Sequence, residues 1–371
     1  MDQPAPAAAS PGRAYKALTT FFDEHENEVL NIEILPPAFP PPDGICMQEG
    51  LNLGVPKETL VAAFIEARQI FSENIKQGPH SIEAYKATRP ILLLDPEHLT
   101  AANFLKRRLE HLQSRSQSQP QTIYHHTLHT HLTFQTTILT SPLHRQTKSP
   151  TLWHHRFWLV KHHILPNILL PNHLPPNRLP PNPSSPGLDV QEFLQSELNV
   201  ICKSGERHPK NYYAFQYARR LFNLVLAQRS VDEVEVVHMK EVLQMMRSWC
   251  SRHPSDISGF SFLAWLLHHT KNVEDRRRVV DRVVGYALSV GLANESVWWF
   301  VRTVLADGTV GEGEGGKEIL GVLVGWLRER GGKSHGGGEE RGEIGVEERV
   351  RQTVEWVGRY GILQPSSTAD S

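Results

Sequence analysis

The chain reads as all-α, an alpha-alpha superhelix of tandem helical-hairpin repeats, and three observations lead there. The stretch Glu206-Arg-His-Pro-Lys-Asn-Tyr-Tyr-Ala-Phe-Gln-Tyr-Ala-Arg-Arg-Leu221 recurs in register upstream and downstream. Around each copy apolar residues return at three- and four-residue steps, the period of an amphipathic helix. The spacings between the later copies are those of a helix-pair repeat.

In the central copy Pro209 ends what precedes it and Asn211 can cap a new helix. Tyr212, Phe215, Ala218, Leu221 and Phe222 then fall on one side. With Phe215 as anchor, the same pattern surrounds Trp153, Phe260 and Trp298. Four residues before each anchor stands a good capping residue: Ser149, Asn211, Asp256 and Asn294. Six residues after come Leu159, Leu221, Leu266 and Val304, and one before come Leu152, Ala214, Gly259 and Val297. A fifth, poorer copy puts Asn103 in the anchor place and Leu99 in the cap place. Successive anchors lie 50, 62, 45 and 38 residues apart, so the first two gaps are read as carrying insertions.

The elements follow in order. Residues 1–12 are Ala/Pro-rich and read as disordered, and 13–90 as an N-terminal helical region. There Ala14–Asp23 turns Leu18, Phe21 and Phe22 inward, Leu35–Gly44 is an extended proline-rich loop, and Pro56 to about Ile75 is a helix. Residues 91–310 hold the repeats, with a polar insertion at 113–122 and a Leu/Pro/Asn insertion at 165–187 that reads as polyproline-like or disordered. Helices are expected over Asp189–Cys202, Asp232–Trp249 and Asn272–Val290. In 311–360 Gly-rich linkers flank a helix over Glu318–Arg328, Glu347–Tyr360 closes the array, and 361–371 is a disordered tail.

The 371 residues, 39% of them apolar, can bury a sizeable core, and the repeat favours one elongated unit. A net charge of −1 without long basic runs gives no electrostatic case for nucleic acid or an anionic membrane. Cys46, Cys202 and Cys250 are few and scattered, which fits a reducing compartment, and a cytoplasmic location is expected. No signal-peptide pattern stands at the N-terminus, and no run approaches the ~18 apolar residues of a membrane span.

Lys210-Asn-Tyr-Tyr-Ala-Phe-Gln-Tyr and Leu152-Trp-His-His-Arg-Phe-Trp-Leu resemble the repeat of protein prenyltransferase alpha subunits, close to Asn-Tyr-X-Ala-Trp-X-X-Arg-X-Trp-Leu. Asn294-Glu-Ser-Val-Trp-Trp-Phe is similar to that family's last repeat. The resemblance covers roughly residues 90–305 and is nearest to the family's alpha-subunit-repeat-containing branch. It implies a crescent of helix pairs around a separate prenyltransferase beta subunit, which carries the catalytic zinc and most of the isoprenoid pocket. No cofactor is expected in this chain itself. Carried over by motif, Lys210 would neutralise the isoprenoid diphosphate and Tyr212, beside Asn211, would line the subunit interface. A cation suits a pyrophosphate that leaves with growing negative charge. The central copy has Ala218 where the consensus has arginine. Arg156 keeps that arginine and reads as a structural bridge between helices.

Other chemistry is poorly represented. Histidines crowd the segment from His125 to His163, yet none of the zinc spacings with Cys or Glu is present, and only His125 and His129 make a helical i, i+4 pair. The Gly311–Gly316 run carries glutamates that would repel phosphate and reads as a linker. Trp153, Trp158, Trp265, Trp298 and Trp299 read as core and inter-repeat packing. The function that follows is an alpha-type prenyltransferase subunit, not self-sufficient, serving a Cys-containing protein substrate. The alternative is a helical-repeat adaptor without prenylation activity.

Overall fold

The computed structural model describes residues 10–115, 121–169, 190–227, 239–311, 314–331 and 345–361. The chain divides into two compact units, Met1–Val231 and Asp232–Ser371. Both are built of packed helices, as the apolar periodicity requires.

The first unit opens with α1 (Pro11–Glu24), which buries Ala14, Leu18, Phe21 and Phe22. A departure from the expected all-helical course follows. Strands β1 (Asn31–Leu35), β2 (Met47–Glu49) and β3 (Asn52–Pro56) form a small sheet in the order β1-β3-β2. β1 runs parallel to β3 and β2 antiparallel to it. Ile32, Leu53 and Val55 point inward while their neighbours are more exposed, the two-residue alternation of a half-buried strand. The prolines of Leu35–Gly44 occupy the turns between β1 and β2.

Next come α2 (Lys57–Asn74), α3 (Ile82–Leu94), α4 (Leu99–Arg115) and α5 (Gln121–Thr140). Helix α5 corrects the sequence reading, because Gln113–Thr122 was expected to be an insertion. Residues 113–115 belong to α4, residues 121–122 begin α5, and 116–120 lie outside the described residues. Threonine and histidine are weak helix formers, which hid α5. Here Thr127, Thr136 and Thr140 each donate a hydroxyl to the carbonyl four residues back, at 2.8–2.9 Å, and so satisfy themselves inside the helix. Thr137 and Ser141 accept the backbone N–H groups of Leu30 and Ile32 at 3.0 and 2.9 Å, which fastens the sheet to α5.

The unit closes with α6 (His144–Thr147), α7 (Pro150–Leu159), α8 (Leu165–Leu169), α9 (Val190–Arg207) and α10 (Tyr212–Ala227). A π-helical turn, Val160–Ile164, joins α7 to α8. Residues 165–169 of the proposed Leu/Pro/Asn insertion are therefore helical, with Pro166 directly after the π-helical turn. The remainder of that insertion lies outside the described residues.

The second unit contains α11 (Met239–Arg252), α12 (Ile257–His268), α13 (Val273–Val290), α14 (Glu295–Ala306), α15 (Glu314–Gly331) and α16 (Val346–Tyr360). Helix α15 begins inside the supposed linker, so Gly315 and Gly316 are helical.

The repeat is visible in two columns of side chains. In the cap column, His98, Ser149, Asn211 and Asp256 each accept the N–H of the residue three further on. Asn294 stands in the same place but makes no side-chain cap bond. Trp153, Phe215, Phe260 and Trp298, four residues beyond their caps, are all buried. Trp153 Nε1 donates to the carbonyl of Thr147 at 2.9 Å and Trp298 Nε1 to that of Leu292 at 2.7 Å, each six residues upstream. The fifth copy needs a correction: its cap is His98, and the anchor slot belongs to buried Ala102, one residue before Asn103. Leu99, 62% exposed, caps nothing. With that shift a second column appears two residues past each anchor, Phe104, His155, Tyr217, Phe262 and Phe300, all rings and all buried.

Gly259, the residue before the Phe260 anchor, is small for a steric reason. A Cβ on Gly259 would meet a ring carbon of Trp249 at 2.4 Å, so glycine is what lets α11 approach α12.

Candidate functional site

A groove of about 560 Å3 lies at the starts of three repeat helices of the first unit. Helix α7 packs against both α4 and α10, so the three form a row with α7 in the middle. With the register corrected, the residue just past each anchor lines the groove: Asn103, His154 and Gln216. Leu99, Pro150 and Trp153 supply apolar wall, and Tyr213 and Tyr217 close the α10 side.

Among the described residues two cations line this groove, Lys106 and Arg220, and no carboxylate does. Lys106 Nζ lies 5.5 Å from the Trp158 ring centre and the Arg220 guanidinium 3.8 Å from that of Phe157. Both are half-buried, and among the described residues neither is within ion-pair distance of an acidic side chain. Burial lowers the Lys106 pKa, with Glu110 opposing. His154 is pushed down by burial and then by Lys106 and Arg220, so its imidazole registers the positive field.

Beneath the groove runs a buried polar network. Arg156 donates from Nε and Nη2 to the two Glu197 oxygens at 2.8 and 2.7 Å, and from Nη1 to Thr136 Oγ1 at 3.0 Å. Tyr217 donates its hydroxyl to the same carboxylate at 2.5 Å. Burial opposes the Arg156 charge and Glu197 more than restores it, so its pKa is raised. The Tyr217 hydroxyl is held well above its ordinary range by burial and then by Glu197. The network ties α5, α7, α9 and α10 together through Arg156 and Glu197.

The motif residues Lys210, Asn211 and Tyr212 sit in the turn from α9 to α10 and divide into two kinds. Asn211 is fully buried: its Nδ2 donates to the Thr147 carbonyl at 2.7 Å and to Ser204 Oγ at 3.0 Å, while its Oδ1 caps α10. It serves the fold. Lys210 and Tyr212 lie on the surface, and Tyr212 is 58% exposed. Lys210 has φ +60, the only non-glycine positive φ among the described residues. Trp158 and Trp265 are half-buried, Trp265 stacking on His269 with ring centres 3.9 Å apart.

Sequence reasoning missed Lys106, Glu197, Tyr217 and Arg220. The ring column would have found Tyr217, and the shifted register would have set Asn103 beside His154 and Gln216. The crowded histidines do not assemble: among the described residues no group of three or more His, Cys, Asp or Glu is placed to hold a metal ion. His129 pairs with Asn27 and His126 with Glu26, while His131 and His155 are buried with no partner on either ring nitrogen. No helix among the described residues is long and apolar enough to cross a membrane.

A family described as "ECM9 middle domain" matches residues 184–284, which hold the central copy and the one after it. The human protein named "Protein prenyltransferase alpha subunit repeat-containing protein 1" is 27% identical over 124 residues, covering 32% of this chain and 27% of that protein. The Danio rerio protein of the same name is 28% identical over 191 residues, covering 48% of this chain and 36% of that protein. The chain thus spans well under half the length of these curated relatives. On two grounds, its own recurring motif and these relatives, the chain is similar to the protein prenyltransferase alpha subunit repeat family.

Proposed function

We propose that the chain is the alpha-type subunit of a heterodimeric protein prenyltransferase, a support for a zinc-bearing beta subunit. That pair would transfer a farnesyl or geranylgeranyl group from its diphosphate to a protein cysteine. The observation that carries the reading is the α9–α10 turn. Buried Asn211 fixes the turn from below and leaves Lys210 and Tyr212 on the surface. A left-handed lysine costs about 1 kcal/mol that glycine in its place would not. Such strain is retained where a side chain is needed, and here the side chain is a cation. It would meet the oxygens of the leaving diphosphate as the C–O bond breaks, and Tyr212 would sit against the partner. The partner's zinc would hold the substrate cysteine as its thiolate, the nucleophile that displaces the diphosphate.

Co-expression with a prenyltransferase beta subunit tests this directly. The expected result is a stable complex that transfers isoprenoid to a Cys-ended peptide, with turnover reduced about 10²-fold by Lys210→Ala. Lys210→Gly should relieve the backbone and lose the same turnover. A complex that forms without transfer would leave the adaptor reading in place.

A further inference from the structure

We propose that the groove across α4, α7 and α10 docks an extended acidic segment of the partner protein. The inference rests on reading the chain as a subunit that seats a partner, and it names what that partner presents.

Three facts carry it. Lys106 and Arg220 are half-buried cations held by rings, and among the described residues neither has an acidic partner within ion-pair distance, the groove wall has no carboxylate, and Glu110 reaches Lys106 only through its longer-range field. Charge kept partly out of water without a counter-charge is costly, and a docked carboxylate would remove that cost. The groove is also long for a single anion. Helices packed in a row lie about 8–10 Å apart, so three span about 20 Å, the length of roughly six extended residues. Its wall alternates in kind as an extended peptide does: Leu99, Pro150 and Trp153 offer apolar contact, while Asn103, His154 and Gln216 offer polar groups one per helix. A carboxylate would reach Lys106 or Arg220 and an apolar neighbour would lie on Trp153 or Pro150.

The experiment uses the full chain and a random octapeptide display library. Selection should enrich sequences rich in Asp and Glu with interspersed apolar residues. A labelled selected peptide should lose at least tenfold in affinity on Lys106→Gln or Arg220→Gln, and more than a hundredfold on the double variant. Gln216→Trp, which leaves both charges and fills the groove, should block binding while thermal unfolding stays unchanged. No enrichment, enrichment without acidic residues, or binding that survives these variants overturns the proposal. So does displacement by micromolar inorganic pyrophosphate, which would make the groove a phosphate site, or self-association abolished by the same variants, which would make the occupant a second copy. Beta-subunit complex formation is read separately. An active complex with no acidic selection sinks this inference alone, and acidic selection without a complex sinks the subunit reading alone.

Discussion

The two units share one repeat geometry and fill it differently. Among the described residues the first unit buries Arg89, His131, His155, Arg156, His163 and Glu197, whereas of acidic and basic side chains the second buries only Asp256, in a helix cap. Their ring columns show the same split. His155 and Tyr217 stand in the first unit where Phe262 and Phe300 stand in the second. The slot constrains shape and leaves polarity open, since a neutral imidazole or phenol fills the space of a phenyl ring. The consequence is energetic: the first unit depends on pairing and protonation, the second on close packing.

The sharpest way to break this contrast is Arg156→Ala, which strands the Glu197 carboxylate in a closed interior. A loss of about 3–5 kcal/mol is expected in urea unfolding, with hydrogen exchange rising in α7, α9 and α10 and not in α12 or α14. Pairing Arg156→Met with Glu197→Leu should recover most of it, and failure to do so would show that the pair itself stabilises.

Acid should act next most strongly, again on the first unit. Burial, then Arg89 and Arg108, lower His131 to about 3; burial lowers His155 well below 6.5; burial and His162 lower His163 to about 4. A histidine whose folded pKa is depressed is charged more readily when unfolded. Its stability is fully present above about pH 6.5 and lost as pH falls toward the folded value, by about 1.4 kcal/mol per pH unit. At pH 5 His131 alone should cost about 2 kcal/mol. Hydrogen exchange at pH 7 and pH 5 checks this, and equal weakening of α5 and α12 would erase the distinction.

For the second unit the weak point is steric. Gly259→Ala should cost about 1–3 kcal/mol because Trp249 must give way, and thermal unfolding with a Trp249→Leu background measures it: the penalty should shrink there. Smallest of all is the cap comparison. Ser149→Ala should cost about 1 kcal/mol, since it caps α7, and Asn294→Ala only a few tenths, since it makes no cap bond. Equal values from denaturant midpoints would contradict the difference.

Much of the repeat was legible because buried rings and caps recur at fixed offsets in single side chains. The α5 helix was not, because its threonines satisfy themselves in ways that propensity does not register. The small sheet was missed because Asn31–Leu35 and Asn52–Pro56 are short and bracket prolines. At the site, Lys210, Asn211 and Tyr212 could be named from the motif, yet only the structure separated the inward asparagine from its outward neighbours. The groove needed the register of α4, and Asn103 in the anchor place concealed it by one residue. Lys106 and Arg220 carry no motif; what sets them apart among the described residues is that no acidic side chain stands within ion-pair distance.

The left-handed lysine has a consequence for how the chain can vary. Because Asn211 is bolted to Thr147 and Ser204 from within, the bend before α10 holds position 210 in the left-handed region, which glycine and asparagine take readily and proline and β-branched residues do not. The backbone cost of exchange there is graded: glycine would relax it, and a β-branched residue would strain it further. A lineage with no need of a cation at that place would be expected to drift to glycine or asparagine, so the residue found there serves as a tell-tale for the diphosphate role we propose.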